Sequence, residues 1–437
     1  MQSVPFDKVK YQYILAYTKK IYQFLNNNYI TGLFVIHFAF TLTHQHNNSL
    51  KSLNIILVIW LISGKFLQTI RLFLNHHFFI FLFLYVSFAQ LGLLYGAPYE
   101  SAARFAEESR YLLLIGVIYT MTPKHYFFPV LAALIGGILY ISYYHLDSDF
   151  ILKQSIQFPV KWYDYMVLNF LYAMAGSILF SLFFIYIKKA VLSQKVIGII
   201  FFLLFCFILY LMLFTMGRSG LAGLLFGVFL VLLFQTKGIM SKFILMIFFS
   251  LFLFGAYKLS PVLQKRIDTT ITSLDKISTQ NNFRSSTGLR LLFWKAGFEI
   301  FSSSPIWGVG TGKHTQILKE KVNEGKYLMP KNLASTNFHS KYMEILTQHG
   351  LIGFTFFIMM LFYWHRNVDR EYKIIALFFG TTTLIALFGA NFLDNYGPMM
   401  FVVVVMALLL DKKGLDSKEY FWKKWRRKKE VATDVKN

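Results

Sequence analysis

The sequence predicts an all-α polytopic membrane protein of about twelve transmembrane helices, with one large loop of helices on the outer side. Three observations predict it. The 437 residues are 56% hydrophobic and only 15% charged, with a mean hydropathy of +0.50, far too apolar for a soluble chain of this length. Apolar runs of about 18 or more residues recur along nearly the whole chain, each able to cross the roughly 30 Å hydrocarbon layer as a helix. Lysines and arginines gather in alternate short loops, as the positive-inside rule requires.

The expected spans lie near 29–45, 53–72, 78–97, 104–121, 126–145, 163–187, 195–215, 219–236, 241–258, 343–364, 372–390 and 396–411. They divide the chain into spans one to nine (1–258), a large outer loop (259–338), spans ten to twelve (339–411) and a basic tail (412–437). Unbroken runs of this length argue against a membrane β-barrel, whose strands are short and alternating. The inner loops carry Lys8, Lys10, Lys19 and Lys20, then Arg71, Lys124, Lys188, Lys189, Lys195, Lys237, Lys242, Arg366, Arg370 and Lys373, and the tail ends in "KKWRRKK" (423–429). Both termini are therefore expected inside. A net charge of +23 would suit nucleic acid, but charge placed in topology loops reads as a contact with anionic membrane lipids, and no nucleic-acid partner is expected. No cleavable signal precedes the first span, which is expected to serve as an uncleaved signal. The one cysteine, Cys206, falls within a span and is read as packing.

The loop at 259–338 holds the polar chemistry. "SPVLQKRIDTTITSLDKISTQ" (260–280) has the spacing of an amphipathic helix, and "STGLRLLFWKAGFEIFSSSP" (286–305) reads as a second helix that stops before Pro305. "GVGTG" (308–312) predicts a tight loop. "STNFHSKYMEILTQHG" (335–350) predicts a helix that starts outside the membrane, capped by Asn337 and broken at Gly350 and Gly353, and it puts His339 near the first turn.

Several residues are candidates for chemistry. Arg218, in "TMGRSGLAG" (215–223), falls between two apolar runs and is expected at their outer turn, either snorkelling at the interface or holding an anion, with Gly217 and Gly220 small enough to let a bulky ligand approach. Arg290 lies on the 286–301 helix before Trp294 and Lys295, and Arg284, Arg266 and Lys313 add positive potential nearby. Together these cations suit a pyrophosphate. His339, on the same side, suits a general base on a sugar hydroxyl. Glu344 lies roughly 140° around the helix from His339, so Lys341 or Gln348 is its expected partner. Asp394 and Asn395, in "GANFLDNYGP" (389–398), sit at the turn between the last two spans, as a solvated turn or as contacts to sugar hydroxyls. "DSD" (147–149) is rejected as a nucleotide-sugar metal motif because its loop is outside, and "GVGTGK" (308–313) fails as a P-loop because Trp307 and His314 stand where Gly and Ser or Thr are needed. No HExxH, CxxC or carboxylate cluster points to a tightly bound metal, and no cofactor is expected.

These pieces in this order, "GRSGLAG", "LRLLFWKAGFEIFSSSPIWGVGTG" (289–312) and "NFHSKYMEILTQHGLIG" (337–353), resemble the O-antigen ligase and polymerase superfamily of bacterial envelopes. The order of spans around one large loop fits as well. The family pattern commonly has Asn after the histidine, and this chain has Ser340. "LQKRIDTTITSLDKI" (263–277) looks more like the ligases than the polymerases. The resemblance implies a GT-C-like, metal-independent, inverting glycosyltransferase of the inner membrane, with its site facing the periplasm. It would move O-antigen glycan from undecaprenyl pyrophosphate to lipid A-core. Arg218 and Arg290 would hold the pyrophosphate, His339 would act as base, and the apolar spans would form a side-open cavity for the lipids. The rival readings are an O-antigen polymerase joining undecaprenyl-linked units, a protein oligosaccharyltransferase, and, from another class, a lipid or glycan transporter, for which the chain lacks the expected internal repeats.

Overall fold

The computed structural model describes residues 28–42, 46–145, 165–214, 217–280, 283–327 and 338–412. The N-terminal lysines, the "DSD" loop, Asn337, the "KKWRRKK" tail and the Arg266 side chain lie outside the described residues. The first helices are α1 (Asn28–Thr41), α2 (His46–Ile62), α3 (Lys65–Asn75), α4 (His77–Leu91), α5 (Tyr99–Tyr111), α6 (Leu114–Met121), α7 (Phe127–His145) and α8 (Tyr165–Tyr186). They are followed by α9 (Leu192–Phe214), α10 (Arg218–Gln235), α11 (Ile239–Leu259), α12 (Pro261–Gln280), α13 (Ser286–Ser303) and α14 (Lys313–Asn323), and then by α15 (Lys341–Arg366), α16 (Lys373–Gly389) and α17 (Tyr396–Leu409). The described residues are all-helical, as expected.

Among the described residues, eight helices are long and apolar enough to cross a membrane, or nine if α2 and α3 count as one span bent by 87°. That bend occurs at Gly64, whose φ of 73° is left-handed. The remaining expected spans take other forms. α1 and α17 are apolar but only 14 residues long. The run at 104–121 is divided between α5 and α6, because Arg104, Glu107, Glu108 and Arg110 give α5 a polar character that lipid would not tolerate.

α8 is the centre of the bundle, with 78% of its apolar window buried, whereas α11 has none buried and lies at the edge. A helix apolar all round belongs in a core or in lipid; α8 takes the first place and α11 the second. α10 packs against α8 and α16 through glycines. A Cβ on Gly223 would come within 2.8 Å of the Ala386 Cβ, and one on Gly227 within 2.6 Å of the Thr382 Oγ1. α17 is buried from Gly397 to Leu409.

The helices α12 to α14 stand apart from this bundle. The inner faces of α13 and α14 build a second small core from Leu292, Phe293, Ala296, Ile300, Leu318 and Phe338. α13 starts where the Ser285 hydroxyl caps the Gly288 N–H at 3.0 Å. The loop after α13 then stitches the two parts together. Gly308, Gly310 and Gly312 have φ of 74°, 93° and 78°, a region few side chains tolerate. With that freedom, Val309 and Gly310 donate to the Thr347 and Gln348 carbonyls, and Thr311 donates to that of Gly92. On the other side of this seam, α15 breaks at Gly350 (φ 60°). Gly353, also expected as a break, stays helical and is small because a Cβ there would meet His349 at 2.2 Å.

Candidate active site

α13 is the ruler of the site. At Thr287 it meets Arg218, the first residue of α10, whose Nη1 donates to the Thr287 Oγ1 at 3.2 Å and to the Thr270 Oγ1 of α12 at 2.7 Å. One turn on, Arg290 faces the turn that carries His339, close enough for its charge to act on the imidazole. One turn further, Phe293 packs on His339 with ring centroids 5.5 Å apart. Gly297 completes the approach, since a Cβ there would meet Met343 at 2.9 Å. Two arginines distant in sequence are thus lined up along one helix with the histidine beside them.

His339 is the one non-glycine residue with positive φ, 50°, among the described residues. Such a conformation costs on the order of 1–3 kcal/mol and needs surrounding contacts to hold it. Glu344 supplies one of them, because its Oε1 accepts from the Phe338 N–H at 3.2 Å while its Oε2 accepts from the Asn391 Nδ2 at 2.5 Å. The expected partner, Lys341, instead forms a buried ion pair with Glu108 of α5. Gln348, the other expected partner, accepts from the Gly312 N–H at 2.9 Å. Glu344 orients the histidine after all, through the backbone before it rather than through the ring. Burial first, and then the charges of Arg290 and Arg104, hold the His339 imidazole down to about 4, below the near-neutral value expected from sequence.

Arg104 is a further cation of this site. Its guanidinium lies 2.5 Å from the Asp394 carboxylate, which also accepts from the Asn395 side chain at 2.7 Å. Asp394 is almost covered, at 7% exposure, whereas Arg104 is half exposed at 49%. Asp394 and Asn395 therefore form a holder for a cation rather than a plain solvated turn. Sequence reading missed Arg104, Glu108 and Asn391. The available signal was the charge density of "RFAEESR" (104–110), which had been absorbed into a span.

Other expected members lie elsewhere. Arg284 is exposed and lines a groove with Lys265 and Lys276 of α12. Lys313 is exposed, while its neighbour His314 turns inward between Phe105 and Phe338, each ring centroid 4.9 Å away. Burial holds His314 down to about 3, with His349, Lys341 and Arg104 adding to the effect. Gly217 and Gly220 are small for a reason other than a ligand, because a Cβ on either would come within 2.3 Å of Asn169 of α8. Asn169 uses that closeness to accept from the Leu221 N–H at 3.1 Å. The "GVGTGK" N–H groups from Gly308 to Lys313 all donate within the protein, which agrees with rejecting a phosphate-binding loop there.

Next to the Glu108–Lys341 pair lies an apolar cavity of about 230 Å³ between α4, α15, α16 and α17, lined by Tyr85, Phe357, Trp364, Leu387 and Met406. The arrangement sets cationic and hydroxyl side chains at the edge of an apolar space. Cations of α5 and α13 act on a neutral imidazole, Arg218 of α10 meets α13 at Thr287 one turn before Arg290, and the apolar cavity adjoins Lys341.

Residues 200–358 match the sequence profile of a family described as O-Antigen ligase. That segment holds Arg218, Arg290 and His339, whereas Arg104, Asp394 and Asn395 lie outside it. No curated protein matches the chain.

Proposed function

The chain belongs to the O-antigen ligase family, and from that premise we propose that it is an O-antigen ligase of the bacterial inner membrane, acting at the periplasmic face on undecaprenyl-pyrophosphate-linked glycan. The family's enzymes are of the glycosyltransferase kind and use lipid-linked glycans. The observation that carries the finer reading is the lining of α13, where Arg218 meets Thr287, Arg290 follows one turn later, and the neutral His339 packs on Phe293.

In this reading the donor's pyrophosphate lies against Arg218 and Arg290, whose guanidinium forks match phosphate oxygens. His339 takes the proton from a hydroxyl of the lipid A-core acceptor. The freed oxygen attacks the anomeric carbon, the bond from that carbon to the pyrophosphate oxygen breaks, and the electron pair leaves with undecaprenyl pyrophosphate. One displacement inverts the anomeric centre. The arginines stabilise the charge that grows on the leaving group. A free imidazole held near 4 is a weak base, and an arriving pyrophosphate would offset the arginines that depress it. Donor binding would thus strengthen the base when it is needed. The apolar cavity beside Lys341 is suited to a lipid chain.

The closest alternative is an O-antigen polymerase, which binds the same donor and differs in its acceptor. Gene deletion separates the two. Loss of a ligase leaves long lipid-linked polymer that never reaches lipid A-core, whereas loss of a polymerase leaves single repeats attached to it. Single repeats on lipid A-core in the deletion strain would sink the ligase reading.

A further inference from the structure

α12 carries two unlike faces, and neither is explained by the pyrophosphate site. Ile267, Ile271 and Leu274, spaced as one stripe, are 37%, 61% and 47% exposed, although this is an apolar surface. Such a stripe on a helix next to a membrane span is the mark of a helix lying on the bilayer surface with its apolar side down. The opposite face, at positions 265, 269, 272 and 276, forms a groove of about 700 Å³ with Arg284 and Ser285 as its far wall. That volume falls within the roughly 300–1,000 Å³ typical of ligand clefts. With the stripe on the membrane, the groove opens to water.

The groove is cationic and rich in hydroxyls. Lys265, Lys276 and Arg284 contribute charge, and Thr269, Thr272 and Ser285 contribute oxygens suited to sugar hydroxyls. Its one carboxylate, Asp268, accepts from the Tyr257 hydroxyl of α11 at 3.0 Å. Among the described residues neither lysine has an acidic partner. Lys265 and Lys276 start about 16 Å apart along the helix, at 1.5 Å per residue. That spacing lets the two ammoniums meet separate anionic groups of one extended ligand. Thr270, on the flank of α12, holds Arg218. Only the thickness of one helix, about 10 Å, divides the groove from the pyrophosphate site.

We propose that the water-facing groove of α12, with Lys265, Lys276 and Arg284, binds the phosphorylated oligosaccharide part of the acceptor and holds it one helix away from Arg218. This inference rests on the ligase reading, since it takes the acceptor to be a phosphorylated glycolipid.

The test uses the full-length protein in nanodiscs and, as probe, a de-acylated, phosphorylated lipopolysaccharide core oligosaccharide, before and after chemical dephosphorylation. The phosphorylated probe should bind, and dephosphorylation should weaken binding about tenfold or more. Lys265→Gln/Lys276→Gln/Arg284→Gln should weaken it comparably, with Arg284→Gln alone giving part of the loss in a minimally altered protein. Arg218→Ala should leave probe binding in place. Equal binding of both probes, unaltered binding by the triple variant, or full displacement by phosphatidylglycerol vesicles would each overturn the proposal. In a transfer assay the triple variant should raise the acceptor KM with kcat kept, and an unchanged acceptor KM counts against the groove. If instead wild type binds the probe through these cations but never transfers glycan to lipid A-core, the ligase reading fails while the groove stands as an anionic-saccharide site.

Discussion

The Glu344 carboxylate accepts from the Phe338 N–H at 3.2 Å, so a buried acid on α15 fixes the turn that presents His339. Removing it should disturb the base and not the donor site. Glu344→Ala leaves the buried Phe338 N–H without its acceptor, at about 1–3 kcal/mol, and leaves the Asn391 amide with only its longer 3.5 Å contact to Glu108. The expected result is a kcat lower by about tenfold or more with donor affinity kept, read by separate transfer and donor-binding assays. Glu344→Gln should recover part of the rate, because the Asn391 Oδ1, unpartnered among the described residues, can accept from the new amide once the Asn391 side chain flips. Equal losses of kcat in the Ala and Gln variants would remove the positioning role.

Arg218 is held by two hydroxyls on two different helices, Thr270 and Thr287. A lysine ammonium keeps the charge but not the planar fork that serves both hydroxyls and an anion together. Arg218→Lys should lower transfer to near the level of Arg218→Ala, a loss on the order of 10²-fold, measured as glycan on lipid A-core with membrane insertion checked in parallel. Near-normal glycan in the Ala strain would sink the pyrophosphate assignment.

The pH profile follows from His339. Burial, Arg290 and Arg104 hold its imidazole down to about 4, so the free enzyme keeps a neutral base from pH 8 down to the approach of that value. The acid limb of kcat/KM should therefore lie near 4, whereas that of kcat, which reports the donor-bound enzyme, should lie higher because the bound anion offsets the arginines. Arg104→Gln removes one depressing charge and should move the kcat/KM limb upward. A limb that stays in place in Arg104→Gln, or a His339→Ala enzyme with wild-type rates across pH 6 to 8, would exclude His339 as the base.

Gly220 tests packing apart from chemistry. A Cβ there would lie 2.3 Å from the Asn169 Oδ1 and 2.6 Å from its backbone oxygen, and backbone cannot move aside cheaply. Gly220→Ala should cost on the order of 1–3 kcal/mol, seen as a lower melting temperature and less protein in the membrane. The specific activity of the surviving fraction should stay close to wild type. Loss of donor affinity without loss of stability would restore the ligand role that the sequence suggested.

The long apolar helices and the polar-loop helices α12 and α13 were legible because periodicity and hydropathy are local properties. So were the turn at Arg218 and the break at Gly350. What could not be read were relations across the chain. Gly217 looked like space for a ligand until Asn169 proved to fill it. Arg104 was hidden because hydropathy averages a charged segment with its apolar neighbours, and only the fold brings it to Asp394. Lys313 and Arg284 passed as members of the site by closeness in sequence, but each side chain follows the face of its helix to a different place. Glu344 was discounted by helical angle, although its oxygens reach a backbone N–H that angular reasoning about side chains ignores.

The pairing of Arg104 with Asp394 joins residues 290 positions apart. At about 5–20 residues per second of synthesis, roughly 15–60 s separate the making of the two partners. During that interval the nascent chain gains Arg218, then Arg290 and His339, but still lacks the final hairpin that holds Arg104 in place and supplies Asn391 to Glu344. A chain cut short before its last two helices would therefore be inert rather than partly active, and donor lipid would meet a finished centre only after insertion is complete.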